Sequence, residues 1–307
     1  MIEREGRQPD DLLTGTEPGR LRQAVGRLRR SKVARRLLRH RLFMTGLVLF
    51  ALIVVMAAAA GALAPHPPNQ NNFRYRLGTP THVFLLGTDG FGRDVLSRVI
   101  HGARVSLRIG LMVVVMNAIL GTLIGAGAGS IRTLDNVVMR VMDGLMAFPA
   151  ILLAIALAAT LGASELNVVL ALTIAYTPRT ARIVRASVLV VRELEYVQAA
   201  LAAGAGYLRI LFHHILANSL APLIVQLTFI FAVSVLAEAV LSFIGVGPPP
   251  PTPTWGNVIA EGRNYIREAP WISLLPGIAI ALTVLGLNLL GDGLRDILDP
   301  QSRTRRA

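Results

Sequence analysis

The chain has 307 residues, 53% of them hydrophobic, with a mean hydropathy of +0.56 and a formal net charge of +13. Its apolar residues fall in runs of membrane-spanning length, which excludes an ordinary soluble protein of this size. No cysteine is present, so disulfides, cysteine-ligated zinc and thiol catalysis are excluded too.

The excess charge is concentrated at the start, where residues 1–42 carry twelve Lys/Arg against five Asp/Glu, a net +7. A basic tail directly before an apolar run reads as a positive-inside anchor, and the stretch RLRRSKVARRLLRHR (27–41) suits an anionic lipid surface. It lacks an aromatic stacking platform, so lipid rather than nucleic acid is the expected partner. The apolar run that follows, and its leader, are too long for a usual signal peptide. Ala62-Leu63-Ala64 imitates a cleavage site but precedes Pro65, so an uncleaved first span is expected.

Six transmembrane helices are predicted, at about 43–64, 106–129, 138–161, 166–176, 221–246 and 272–290, the fourth continuing as a helix past Arg179. In lipid every backbone N–H and C=O needs an internal partner, and these unbroken runs lack the alternation of barrel strands. The fold class is therefore an all-α polytopic membrane protein.

The basic tail places the N-terminus in the cytoplasm. Residues 65–105 then form an external loop, and 178–216, with Arg179, Arg182, Arg185, Arg192 and Arg209, face inward. The tail 294–307 is cytoplasmic as well. Five arginines within 65–105 run against this rule, and the longer tail is taken to dominate.

Between the first two spans, Thr88-Asp89 precede FGRDVLSRVIHGARVSL, whose Phe91, Val95, Val99 and Ala103 share one face. That pattern predicts a capped amphipathic helix at the outer surface. Residues 248–258, PPPPTPTWGNV, predict a stiff extended loop with Trp255 anchored at the interface.

Motifs of catalysis are missing. Gly87, Gly90 and Gly92 match neither GxGxxG nor GxxxxGK[ST], so no ATP hydrolysis is expected from this chain. His213 and His214 are adjacent, hence on different helix faces, and no HExxH or GxSxG occurs. No catalytic residue, metal site or bound cofactor is assigned.

Charged residues within spans are costly in lipid. Glu238 either lines a path, pairs with an arginine of the outer helix, or reaches water at the interface. Asp143, three residues after Arg140, reads as a local ion pair with it. Asn288 and Asp292 are expected to bond to neighbouring helices. Pro149 and Pro276 break helical hydrogen bonds and are candidate kinks around a pathway. The small residues of 121–129 predict close helix packing.

The most informative stretch is EYVQAALAAGAGYLRILFHHILANSLAPLI (195–224), soluble-looking yet set between apolar spans. Ala199, Ala200, Ala202 and Ala203 give helix propensity and a low surface, and Gly204 suits the positive φ that ends one helix before another begins near Tyr207. The bland alternative is a hairpin that only links two spans.

This stretch resembles the cytoplasmic EAA loop of ABC-importer permeases. LLGTDGFGRDVLSRVIHGARVSL (85–107), MRVMDGLMAFPAILLAI (139–155), AEAVLSFIGVGPPPPTPTWGNVI (237–259) and GDGLRDILDP (291–300) are similar, in order, to the C-type permeases of dipeptide, oligopeptide and nickel importers. The pattern departs at Gln198, where the family usually has Glu, and at Ala217, where it usually has Pro.

The resemblance implies a type I ABC-importer (MetI-like) permease core over residues 106–293. It implies an inner-membrane location in a bacterium or archaeon, with both termini cytoplasmic. It also implies pairing with a B-type permease, two ABC ATPase subunits that use ATP and Mg, and an extracytoplasmic solute-binding protein. The loop residues it marks for ATPase coupling are Glu195, Gln198, Ala199, Ala200, Gly204, Tyr207, Leu208, Ile215 and Leu216. Glu238 and Pro149 are assigned to a pathway or gate. Asp89, Arg93, Asp94, Arg98 and Trp255 are assigned to an outer vestibule. The substrate expected is a di- or oligopeptide, with nickel or another small solute as the alternative. From other classes, a stand-alone secondary carrier would need no ATPase, and a membrane scaffold would transport nothing.

Overall fold

A computed structural model of the protein describes residues 32–298. The basic tail up to residue 31 and residues 299–307 lie outside the described residues.

The described chain is helical, and its one β feature is an isolated bridge between Thr88 and Asp94. Helix α1 (Lys32–Arg39) leads into α2 (Arg41–Ala58), where the His40 side chain caps the helix by accepting from the Phe43 N–H. A short turn, α3 (Ala60–Leu63), ends it. After an irregular loop, α4 (Val95–Ser130) runs for 36 residues, about 54 Å. Next come α5 (Arg132–Met146), α6 (Ala150–Leu161) and α7 (Glu165–Arg192), then the short α8 (Glu195–Ala202) and α9 (Tyr207–Ile210). A π-turn over Leu211–Leu216 joins α9 to α10 (Ala217–Phe243). The chain closes with α11 (Trp255–Gly262) and α12 (Trp271–Leu298).

By length and composition, α2, α4, α10 and α12 each suffice to cross a membrane, and α5 with α6 adds a fifth span if that pair is one crossing. Helix α7 has the length, at 28 residues, but its arginines keep it from passing on apolarity. Six crossings are compatible with this set.

Two expectations about the helices change. The segment after Phe91 is not a separate amphipathic helix. Asp94, rather than Thr88-Asp89, supplies the cap by accepting from the Ser97 N–H at 3.0 Å, and the helix it starts continues unbroken into the second span. The third span is not one helix either. The axes of α5 and α6 differ by 90°, with Pro149 extended at the break. Proline lacks the N–H a continuing helix needs and pushes its predecessor, Phe148, out of helical conformation.

Glycine sets the closest helix contacts. A Cβ on Gly121, Gly125 or Gly129 would lie 2.4–2.7 Å from atoms of Thr180, Ala181 and Val188 on α7. These three glycines recur every four residues, so they form one stripe along α4 where α7 presses in. Gly46 and Gly286 meet in the same way between α2 and α12. Asp143 does not pair with Arg140 but accepts from Arg182 on α7 at 2.5 Å, because α5 leans against α7 there.

Candidate functional site

The loop joining α7 to α10 is built around one glycine. Helix α8 ends at Ala202, and Gly204 follows with φ +81°. The Gly204 N–H donates to Leu201 O at 2.9 Å and the Ala205 N–H to Ala200 O at 3.0 Å. This pair of bonds is the Schellman closure, which needs the left-handed conformation at the residue between them. Gly204 thus ends α8 and redirects the chain toward α9, as its position in the sequence predicts.

The same loop has two sides. Val197, Ile210 and Ile215 are buried among Val184, Val188 and Val191 of α7, Ala126 of α4 and Leu223 of α10. They staple the loop to the ends of three long helices. Glu195, Gln198, Ala199 and Gly204 face outward, Ala200 and Leu216 are half-buried, and Tyr207 and Leu208 contribute helical backbone. Two apolar side chains unmarked in the sequence, Leu201 and Phe212, are exposed on the loop at 45% and 62%. The sequence could not mark them, because only the fold shows which apolar residues of this segment stay in the open.

Gln198 has a role that a carboxylate cannot fill. Its Nε2 donates to Arg192 O at 2.8 Å, closing the last turn of α7. The exchange of Glu for Gln therefore adds a donor at a helix end that lacks one. Asn218 Nδ2 donates to the Tyr196 hydroxyl at 2.9 Å, tying α8 to the start of α10. Further along α7, Arg192 donates to Gly129 O at 3.2 Å, and Arg185 grips Asp135 of α5 with two hydrogen bonds. The loop and the end of α7 are thereby tied to α4, α5 and α10.

At the opposite end of α4, the residues expected at an open vestibule are internal. Asp89, Arg93, Asp94, Arg98 and Trp255 are between 0% and 6% exposed. Arg93 Nε donates to Asp89 at 2.6 Å, Arg93 also bonds Glu261, and Arg98 donates to Glu261 at 3.0 Å. Two arginines and two carboxylates thus cross-link the loop before α4, α4 itself and α11. Trp255 does not sit at an interface. Its Nε1 donates to Val99 O at 3.0 Å and its ring packs against Gly102, where any Cβ would lie 3.2 Å from Trp255 Cδ1. The apolar pattern places the indole near the membrane surface but cannot show that α11 folds back under α4. Trp255→Ala is expected to cost about 3–5 kcal/mol, and Trp255→Phe about 1 kcal/mol through the lost N–H bond. Denaturation midpoints of the detergent-solubilised protein check both.

Glu238 is also internal and pairs with no arginine among the described residues. It accepts from the Ser242 hydroxyl at 2.7 Å, while its other oxygen is buried without a partner among the described residues. Pro149 sits at the α5–α6 break and is not on the walls of the cleft described next. Asn288 shows no bond among the described residues, and Gly291 beside Asp292 packs on Thr228 and Phe229 of α10. No group of three metal-ligating side chains occurs among the described residues. A cleft of about 290 Å³ opens between α5, α7 and α10, with Met146, Tyr176, Arg179, Gln226 and Val233 on its walls.

Residues 109–304 match the family described as the binding-protein-dependent transport system inner membrane component, and residues 29–80 match the N-terminal transmembrane domain of oligopeptide transport permease C. A Brucella abortus protein named as a peptide transport system permease is 56% identical over 268 residues, 87% of this chain and 90% of its own length. The dipeptide transport system permease of Alkalihalophilus pseudofirmus is 41% identical over 297 residues, 96% of this chain and 94% of its own. The di/tripeptide permease of Pseudomonas aeruginosa is 46% identical over 263 residues, 83% and 87% of the two chains.

Proposed function

The chain belongs to the family of inner membrane components of binding-protein-dependent transport systems and is a permease subunit of an ABC importer, and from that premise we propose that it passes short peptides by alternating access. In this reading it pairs with a second, B-type permease, and two ATPase subunits dock on the loop 195–216. An extracytoplasmic binding protein delivers the solute, and both termini are cytoplasmic in the inner membrane.

The observation that carries the coupling role is the two-sided loop. An outward face with Leu201, Phe212 and a low alanine surface suits a cleft in another protein, while Val197, Ile210 and Ile215 fix the same segment to the span ends. A linker that only joined two spans would need no such staple. Rigid coupling of this kind allows ATP-driven closure of the ATPase pair to rotate whole helices.

The test is reconstitution of the chain in vesicles with its second permease, ATPases and binding protein. Dipeptide uptake is expected only with ATP and all four kinds of subunit present. Uptake without the ATPases would identify a secondary carrier. ATP-driven uptake of nickel but not of any peptide would replace the substrate, while a complex that moved neither would leave a scaffold.

A further inference from the structure

The cleft between α5, α7 and α10 carries a cation, Arg179, that has no partner among the described residues. Arg108 and Glu165 form a two-pronged ion pair at the start of α7, and this pair marks a water-facing end. Arg179 stands fourteen residues further on, about 21 Å along a helix rising 1.5 Å per residue. That distance is shorter than a hydrocarbon layer about 30 Å thick, which sets Arg179 deeper than a span ending at residue 176 would and draws the inner boundary further along α7. Arg182 in the same cleft is neutralised by Asp143, whereas Arg179 has no ion-pair or hydrogen-bond partner among the described residues. Gln226, across the cleft on α10, likewise has an unused side-chain amide among the described residues.

An arginine exposed at this depth cannot face lipid tails without a severe cost, so the wall that carries it must face water or an anion. The rest of the cleft is apolar, with Met146 and Val233 beside the buried Tyr176. A volume of 290 Å³ stands at the lower edge of small-molecule sites, which hold about 300–1,000 Å³. A fixed guanidinium with an amide opposite and apolar walls matches a carboxylate flanked by a side chain.

We propose that this cleft is a solute subsite on the translocation path, in which Arg179 receives the terminal carboxylate of a peptide and Gln226 supports it. The inference rests on the peptide reading above. The guanidinium fork donates to both carboxylate oxygens, and Lys at this position would give a point charge without the fork. Neutralising the carboxylate by amidation removes the ligand's half of the contact without changing its size greatly.

The absence of cysteine from the chain provides the experiment. Val233→Cys places a reporter on one wall, and Met146→Cys places an independent one on the other. In the reconstituted complex, maleimide labelling of this chain is expected to slow about tenfold with a saturating dipeptide. The C-terminal amide of the same dipeptide is expected to protect less than about twofold, and Arg179→Ala is expected to abolish the difference. Equal protection by acid and amide, or protection that survives Arg179→Ala, overturns the subsite. Labelling already blocked in the peptide-free complex but restored without the second permease also overturns it, because the cation is then paired with that subunit. Dipeptide uptake by the same vesicles separates the two readings. Uptake with no protection leaves the permease function and removes the subsite, whereas no peptide uptake at all removes the peptide reading itself.

Discussion

Gly125→Ala is expected to destabilise the chain by about 3 kcal/mol, at the upper end of what forced overpacking costs. The added Cβ would lie 2.4 Å from Ala181 O and 2.8 Å from Val184 Cβ, and a backbone oxygen cannot swing aside as a side-chain tip can. Helices α4 and α7 would have to separate along the whole stripe, since Gly121 and Gly129 fix the same spacing one turn away on either side. Gly127→Ala is the internal control. It lies two residues along the same helix, and a Cβ there meets nothing within 4 Å. Replacing a helical glycine with alanine at such an open site is expected to be neutral or to stabilise by up to about 1 kcal/mol. Denaturation midpoints of the two variants in one detergent provide the measurement. Equal midpoints would mean that the seam is not close-packed.

Gly204→Trp is expected to reduce ATP-driven uptake at least tenfold while the chain still inserts and folds. Space is not the obstacle, since a Cβ at Gly204 meets nothing within 4 Å. Its φ of +81° is the obstacle, because a bulky L-residue there costs about 1–2 kcal/mol and favours opening the Schellman closure. The indole would also stand on the face proposed to enter the ATPase. Gly204→Asn separates these effects, since asparagine accepts the left-handed conformation with a small polar side chain. It is expected to keep more than half of the uptake. The ATPase rate of the assembled complex reads out coupling independently. Normal uptake by the Trp variant would exclude the loop from the docking surface.

Legibility in the sequence followed the range of the interaction. The Gly204 turn was visible because a left-handed residue after an alanine-rich helix is a local demand. Close packing at 121–129 was visible because glycine every four residues has one physical meaning on a helix. Partners were not visible where they came from another element. Asp143 has Arg140 within its own helix, yet it bonds Arg182 because α5 is turned by the break at Pro149. Arg93 and Arg98 look like exposed charges on an amphipathic face, and Glu261, more than 160 residues away, makes them internal. Gln198 looked like a lost charge until the end of α7 appeared beside it as an acceptor.

The sequence by itself determined the helical class, the membrane runs, the loop that interrupts them and the family. The first three depend on composition, periodicity and backbone conformation within a few turns of chain, and the family rests on the resemblance of motifs that follow one another in order. Tertiary structure alone decided which charges are buried and paired, where Trp255 lies, how α5 and α6 bend, and that Arg179 lines a cleft without a partner among the described residues. Those outcomes depend on which helices become neighbours, and the energy of a charge is set by the partner and dielectric it meets there, not by the residues on either side of it.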